Sequence, residues 1–204
     1  MLEGTTMKSE VTGIILAGGQ SKRMGTNKAF VRLNEKPLID YSLDILREVT
    51  PHIILSVGSE PFRYKNLPVV KDVYPGCGPM GGIYSALRYS NTDLNLVLSC
   101  DLPFVPADLL KFLTEEARND DADVTLPVDE HGYWQTLCAV YRKSILPKME
   151  EAVIQKNLKL KMIVSNVKSR IIPVGKTHKY YQSDAFLNMN TPEDVFKQTK
   201  KQWL

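Results

Sequence analysis

The chain has no apolar run near the ~20 residues that a membrane-spanning helix needs, and its opening residues MLEGTTMKSE lack the apolar stretch of a secretory signal. Both absences lead to the expectation of a cytoplasmic protein with no membrane partner. Only three cysteines occur, Cys77, Cys100 and Cys138, odd in number and far apart. That pattern excludes a disulfide framework and a paired-cysteine zinc site. Cys100 stands beside Asp101 but has no neighbouring base, so it reads as a small buried hydrophobe. His52, His131 and His178 lie in unrelated contexts, which offers neither zinc-ligand spacing nor Ser-His-Asp chemistry. Also missing are the P-loop pattern GxxxxGK[ST], the dinucleotide pattern GxGxxG, internal repeats and any Pro-, Gly- or Ser-rich linker.

What is there is an ordinary globular composition: 204 residues, 43% hydrophobic and 24% charged. That suits one well-buried core. Residues 11–204 are expected to form a single domain behind a disordered tail at 1–10. The net charge of +3 is unevenly spread, because residues 142–204 carry 13 Lys+Arg against 5 Asp+Glu. Such a basic segment is either a solvated face or an attractor of phosphorylated substrate, with Lys156, Lys159, Lys161 and Arg170 as its candidates. No nucleic-acid-binding motif accompanies the charge, and no nucleic acid partner is expected.

Short aliphatic runs alternate with segments of helical period, the order of a mostly parallel sheet covered by helices; the class is α/β. Strands are expected at 11–17, 53–57, 67–70, 94–99, 122–126, 134–141 and 171–174. Helices are expected at 37–49 and 83–89, from Pro106, across 146–167 with a break near Asn157, and from Thr191. Pro37 and Pro106 suit first helical positions, where a missing N–H costs nothing. The stretch GCGPMGG reads as a loop.

Four constellations carry chemistry. Leu16-Ala17-Gly18-Gly19-Gln20-Ser21-Lys22-Arg23-Met24-Gly25-Thr26-Asn27-Lys28 follows the first strand. Open α/β sheets bind ligands at that end of a strand, glycines there admit phosphate oxygens to backbone N–H groups, and Arg23 and Lys28 add charge. Asp101 likewise follows the apolar strand LNLVLS, where a hard oxygen suits Mg²⁺. A turn aspartate explains Asp101 equally well on residue chemistry alone, since Pro103 and Pro106 are close by. Asp72 precedes a segment with four glycines in seven residues, Gly76 to Gly82. Finally, Thr191, Pro192 and Asp194 read as a variant capping box, which leaves Asn188 and Asn190 unexplained. Alternate residues of an extended segment point the same way, so both amides are expected at one site.

The first segment resembles the LAGGxSxRMGxxK signature of molybdenum cofactor guanylyltransferases and related nucleotidyltransferases. Cys-Asp-Leu-Pro-Phe at 100–104 resembles that family's D-x-P-F metal element, Gly78–Gly82 its GPxGG loop, and 188–194 its N-x-NTPED motif. Trp134–Tyr141 resembles its mid-chain strand, on the pterin side. At 56–59 an asparagine common in the family has no counterpart. The resemblance implies a three-layer, Rossmann-like nucleotidyltransferase fold, nucleotide-binding in its N-terminal part and pterin-side in its C-terminal part. It implies nucleotide contacts from Leu16, Ala17, Gly18, Gly19, Lys28, Asp72, Gly78 and Asp101, catalytic roles for Arg23, Lys28, Asp101 and Asn190, and Mg²⁺ on Asp101. The implied reaction transfers GMP from GTP to the terminal phosphate of molybdopterin and releases pyrophosphate. Transient contacts with cofactor-biosynthesis proteins or apo-molybdoenzymes are implied too. The alternatives are another base or a sugar-phosphate acceptor, or a non-catalytic carrier, against which Lys28 and Asp101 both speak.

Overall fold

The structure is a computed structural model that describes residues 10–18, 27–58 and 62–201. In chain order its elements are β1 (Val11–Leu16), β2 (Arg32–Leu33), β3 (Lys36–Pro37), α1 (Leu38–Arg47), β4 (Ile53–Ser56), β5 (Val69–Val70) and α2 (Gly78–Tyr89). There follow β6 (Leu94–Ser99), α3 (Ala107–Arg118), β7 (Val124–Asp129), β8 (Cys138–Arg142), α4 (Leu146–Ile154), α5 (Leu160–Val164), β9 (Ser169–Val174) and α6 (Pro192–Lys201).

Seven strands form one sheet in the order β5-β4-β1-β6-β8-β7-β9. All its described pairings are parallel except those made by β8, which runs against both β6 and β7. Period-2 alternation sends each strand's side chains to two cores. Ile15, Leu55, Leu96 and Leu98 meet Leu43 and Leu46 of α1 and Leu109 and Leu113 of α3. Ile14, Ile54, Val97 and Leu126 meet α2, α4 and α5 on the other face. These are the three layers expected, and β1 and β6 are buried along their whole length and mostly apolar because helices cover both sides.

Several boundaries differ from expectation. Pro37 and Pro106 stand one position before their helices, in extended conformation, and cap α1 and α3 without a side-chain bond. GPMGG is the first turn of α2 and no loop. Pro79 occupies its opening turn, and a methyl group on Gly81 would come within 2.8 Å of the Tyr74 carbonyl oxygen. Glycine there allows a helix start to lie on backbone, which composition alone does not reveal. The short antiparallel pair β2–β3 went unforeseen; its turn places Asn34 and Glu35 at φ 48° and 63°. The break near Asn157 separates α4 from α5 as expected.

Candidate active site

The chain runs outward from β1 to β4 and β5, then crosses back to place β6 on the other side of β1. The carboxyl ends of β1 and β6 therefore flank the point where the order reverses, where a crevice opens in sheets of this kind. Leu16 pairs with Ser99 in register, and the Cys100 N–H donates to the Leu16 carbonyl at 3.1 Å. Ala17 donates its N–H to the Ser56 carbonyl at 2.8 Å. Leu16 and Ala17 are buried and held on both sides, while Gly18 emerges at the surface. A methyl group on Gly18 would meet the Gly58 nitrogen at 2.5 Å, so only glycine lets the two loops touch. Gly58, at φ 70°, is the partner that sequence reasoning missed; its signal was a lone glycine just past a strand.

Lys28 opens a short 3-10 turn, Lys28–Phe30, whose start is capped by the Asn27 side chain accepting from the Ala29 N–H at 3.1 Å. From there its Nζ donates to Asp101 Oδ2 at 2.7 Å and to Asn190 Oδ1 at 2.6 Å. Three residues separated by up to 162 positions thus meet at one ammonium group. Lys28 and Asp101 side chains are 17% and 13% exposed, which sets this pair apart from surface ion pairs worth ~0–1 kcal/mol. Asp101 Oδ1 is buried and has no hydrogen-bond partner among the described residues. Behind the carboxylate, the Cys100 thiol is pushed up to about 12 by burial and by the Asp101 charge, so it is no nucleophile.

Asp72 lies across the β1–β4 edge, its backbone N–H donating to the Gly58 carbonyl at 3.1 Å. Its carboxylate faces the first turn of α2: methyl groups on Gly81 and Gly82 would lie 3.5 and 3.7 Å from its oxygens. Burial holds this carboxyl above the usual range, and Oδ1 again has no partner among the described residues. Gly78, exposed at φ 57°, begins α2 beside it.

The Asn188 amide donates to the Phe186 carbonyl at 3.4 Å, and of the two asparagines Asn190 is the one that contacts Lys28 among the described residues. Arg170 is engaged by Glu116 and Asp120 on the α3 side. Lys161 instead stands 5.4 Å from the Trp134 ring centroid. Gly19, Arg23 and the tail at 1–9 lie outside the described residues. Among those described, no group of three or more His, Cys, Asp or Glu could hold a metal, and no helix is long and apolar enough to cross a membrane.

Comparison with known proteins matches residues 13–170 to the MobA-like NTP transferase domain. A probable molybdenum cofactor guanylyltransferase of Carboxydothermus hydrogenoformans is 37% identical over 191 residues, 93% of this chain and 95% of that relative. The molybdenum cofactor guanylyltransferase of Vibrio vulnificus is 31% identical, over 89% of this chain and 91% of its own length. Among solved structures, the molybdopterin-guanine dinucleotide biosynthesis protein A of Archaeoglobus fulgidus superposes with a TM-score of 0.81 at 26% identity, covering 94% of this chain and 98% of that one. The 2-C-methyl-D-erythritol 4-phosphate cytidylyltransferase of Thermus thermophilus shares the fold, with a TM-score of 0.69 at 13% identity. With a strand-end crevice, a family match over most of its length and relatives above 30% identity, the chain belongs to the MobA-like NTP transferases, a family of nucleotidyltransferases.

Proposed function

We propose that this protein transfers GMP from GTP to the terminal phosphate of molybdopterin, forming molybdopterin guanine dinucleotide and releasing pyrophosphate. The relatives' names supply the two substrates. The observation that carries the chemistry is the meeting of Lys28, Asp101 and Asn190 beside a buried, unpartnered carboxylate oxygen. An acceptor phosphate oxygen attacks the α-phosphorus of GTP as the bond to the β-phosphate oxygen breaks, and the electron pair leaves with pyrophosphate. Positioning and charge neutralisation suffice for such a transfer, and no protein nucleophile is required.

Asp101 Oδ1 fits a Mg²⁺ ligand: it is a hard anionic oxygen with no other partner, and Mg²⁺ typically takes one or two carboxylates and completes its shell with phosphates and water. When bound, the ion supplies charge neutralisation at the α-phosphate. Lys28 holds the phosphates through the N–H that Asp101 and Asn190 leave over, joined by Arg23 and the Gly18–Gly19 backbone. Asp72 and Gly78 seat the nucleoside over the start of α2, with Leu16 and Ala17 as its floor. Upstream cofactor-biosynthesis proteins or apo-molybdoenzymes are the expected transient partners, and the cytoplasm the expected location.

The test is pyrophosphate release from each of four nucleoside triphosphates with Mg²⁺ and molybdopterin. GTP-selective release is expected; release from CTP alone would overturn the guanylyl assignment, and none with any nucleotide would leave a carrier. Asp101→Ala should lower turnover by about 10²–10³-fold, the scale for losing one preorganised electrostatic contact. Undiminished turnover would sink the metal assignment.

A further inference from the structure

The start of α6 holds one bond more than a helix needs. Asp194 Oδ2 accepts the Thr191 N–H at 2.9 Å, and Thr191 Oγ1 accepts the Asp194 N–H at 3.2 Å. That reciprocal pair is a complete capping box. The same Oδ2 also accepts the Asn190 N–H at 3.0 Å. Asn190 precedes the cap, so this bond satisfies no helical donor. It fixes instead the residue whose amide oxygen meets Lys28.

The neighbouring residue is tied as well. Met189 is fully buried with Leu33, Leu38 and Val195, and its N–H donates to the Asp101 carbonyl at 2.9 Å. Residues 189, 190 and 191 are therefore each held through the backbone, one by the Asp101 loop and two by Asp194. An ammonium group has three N–H donors. Once Asp101 Oδ2 and Asn190 Oδ1 occupy two of them, at 2.7 and 2.6 Å, tetrahedral geometry sets the direction of the third.

We propose that Asp194 is a positioning residue for nucleotidyl transfer, acting through Asn190 to set the direction in which Lys28 presents its free N–H. Asp194 touches no reacting group. The inference rests on the roles given to Lys28 and Asn190 under the proposed function. Thr191 serves the helix start alone, which separates the two jobs of the box.

The experiment is a double-mutant cycle on pyrophosphate release by the full chain, with melting temperatures measured in parallel. Asp194→Ala should lower kcat about tenfold, since small misplacements of a catalytic group cost that much or more, with KM for GTP changed less than about twofold. Asp194→Asn, which keeps an acceptor oxygen, should restore most of the rate. Thr191→Ala should lower the melting temperature comparably and leave kcat near wild type. The Asp194→Ala/Asn190→Ala double variant should be no slower than Asn190→Ala alone, as expected for residues acting as one unit. Multiplying losses, or an equal loss of kcat from Thr191→Ala, would reduce Asp194 to a helix cap. Full turnover by Asn190→Ala would overturn the role of Asn190 and this inference with it. If Asp194→Ala does not fold, the same cycle is run with Asp194→Ser.

Discussion

A carboxylate oxygen without a partner is costly to bury, and among the described residues two lie at one crevice, Asp101 Oδ1 and Asp72 Oδ1. They differ in what stands beside them. Asp101 has the Lys28 ammonium at 2.7 Å, whereas Asp72 faces helix-start glycines, so burial dominates and its carboxyl is held above the usual range. A carboxyl raised in the folded state contributes stability below its unfolded value, near pH 4, and loses it as pH rises through the folded value. Asp72→Asn should therefore raise the melting temperature at pH 7, with the gain fading below roughly pH 4. The same variant should raise KM for GTP. A melting temperature unchanged at both pH values would contradict the burial of that charge. Lys28 was legible as a charge at a fixed offset from a Gly-Gly turn after an apolar strand, whereas Asp101 read equally well as a turn aspartate on residue chemistry and was singled out by its resemblance to the D-x-P-F element. The link from Asp194 to Asn190 was not legible, since a capping box accounts for Asp194 without reference to the residue before the cap.

At the scale of elements, the site depends on how closely two strand ends approach. Gly18 against the Gly58 backbone leaves no room for Cβ, and the obstacle is main chain that cannot rotate away. Gly18→Ala should destabilise the fold by about 1–3 kcal/mol, as overpacking does, and weaken nucleotide use together with stability. Chemical denaturation checks the first effect; an unchanged midpoint would show that the loops can part freely. Helices α1 and α3 were readable from stripes of Leu and Ile because each lays one face on the sheet. The start of α2 was not, because Gly and Pro count as breakers until their surroundings are known. The β2–β3 turn was equally hidden: Asn34 and Glu35 both take positive φ, and Glu in the second place lacks the Asn-Gly signature of such turns.

For the whole molecule, ligand binding and folding are linked. At a hundredfold excess over Kd a ligand adds ~2.7 kcal/mol to stability, and for a chain of this size 1 kcal/mol shifts Tm by about 2–4 °C. Mg-GTP at that excess should raise Tm by roughly 5–10 °C, with a smaller rise from Mg-CTP at equal concentration. Equal shifts would remove guanine selectivity from the nucleotide-binding step. Alternation of strands and helices predicted the class and the layers, but not the strand order or the reversed direction of β8, which depend on long-range pairing such as Leu98 with Cys138. That reversal has a consequence for how the crevice can change over time. On the β1 side, the connections after β1 and β5 lead into crossovers through α1 and α2, so lengthening either loop also moves a helix against the core. On the β8 side, residues 130–137 join β7 to an antiparallel neighbour, and the Leu137 carbonyl accepts the Ser99 N–H at 2.9 Å right beside Asp101. A connection of that kind can be shortened, extended or exchanged without rethreading the sheet, which gives one flank of the crevice a freedom to diversify that the nucleotide flank lacks.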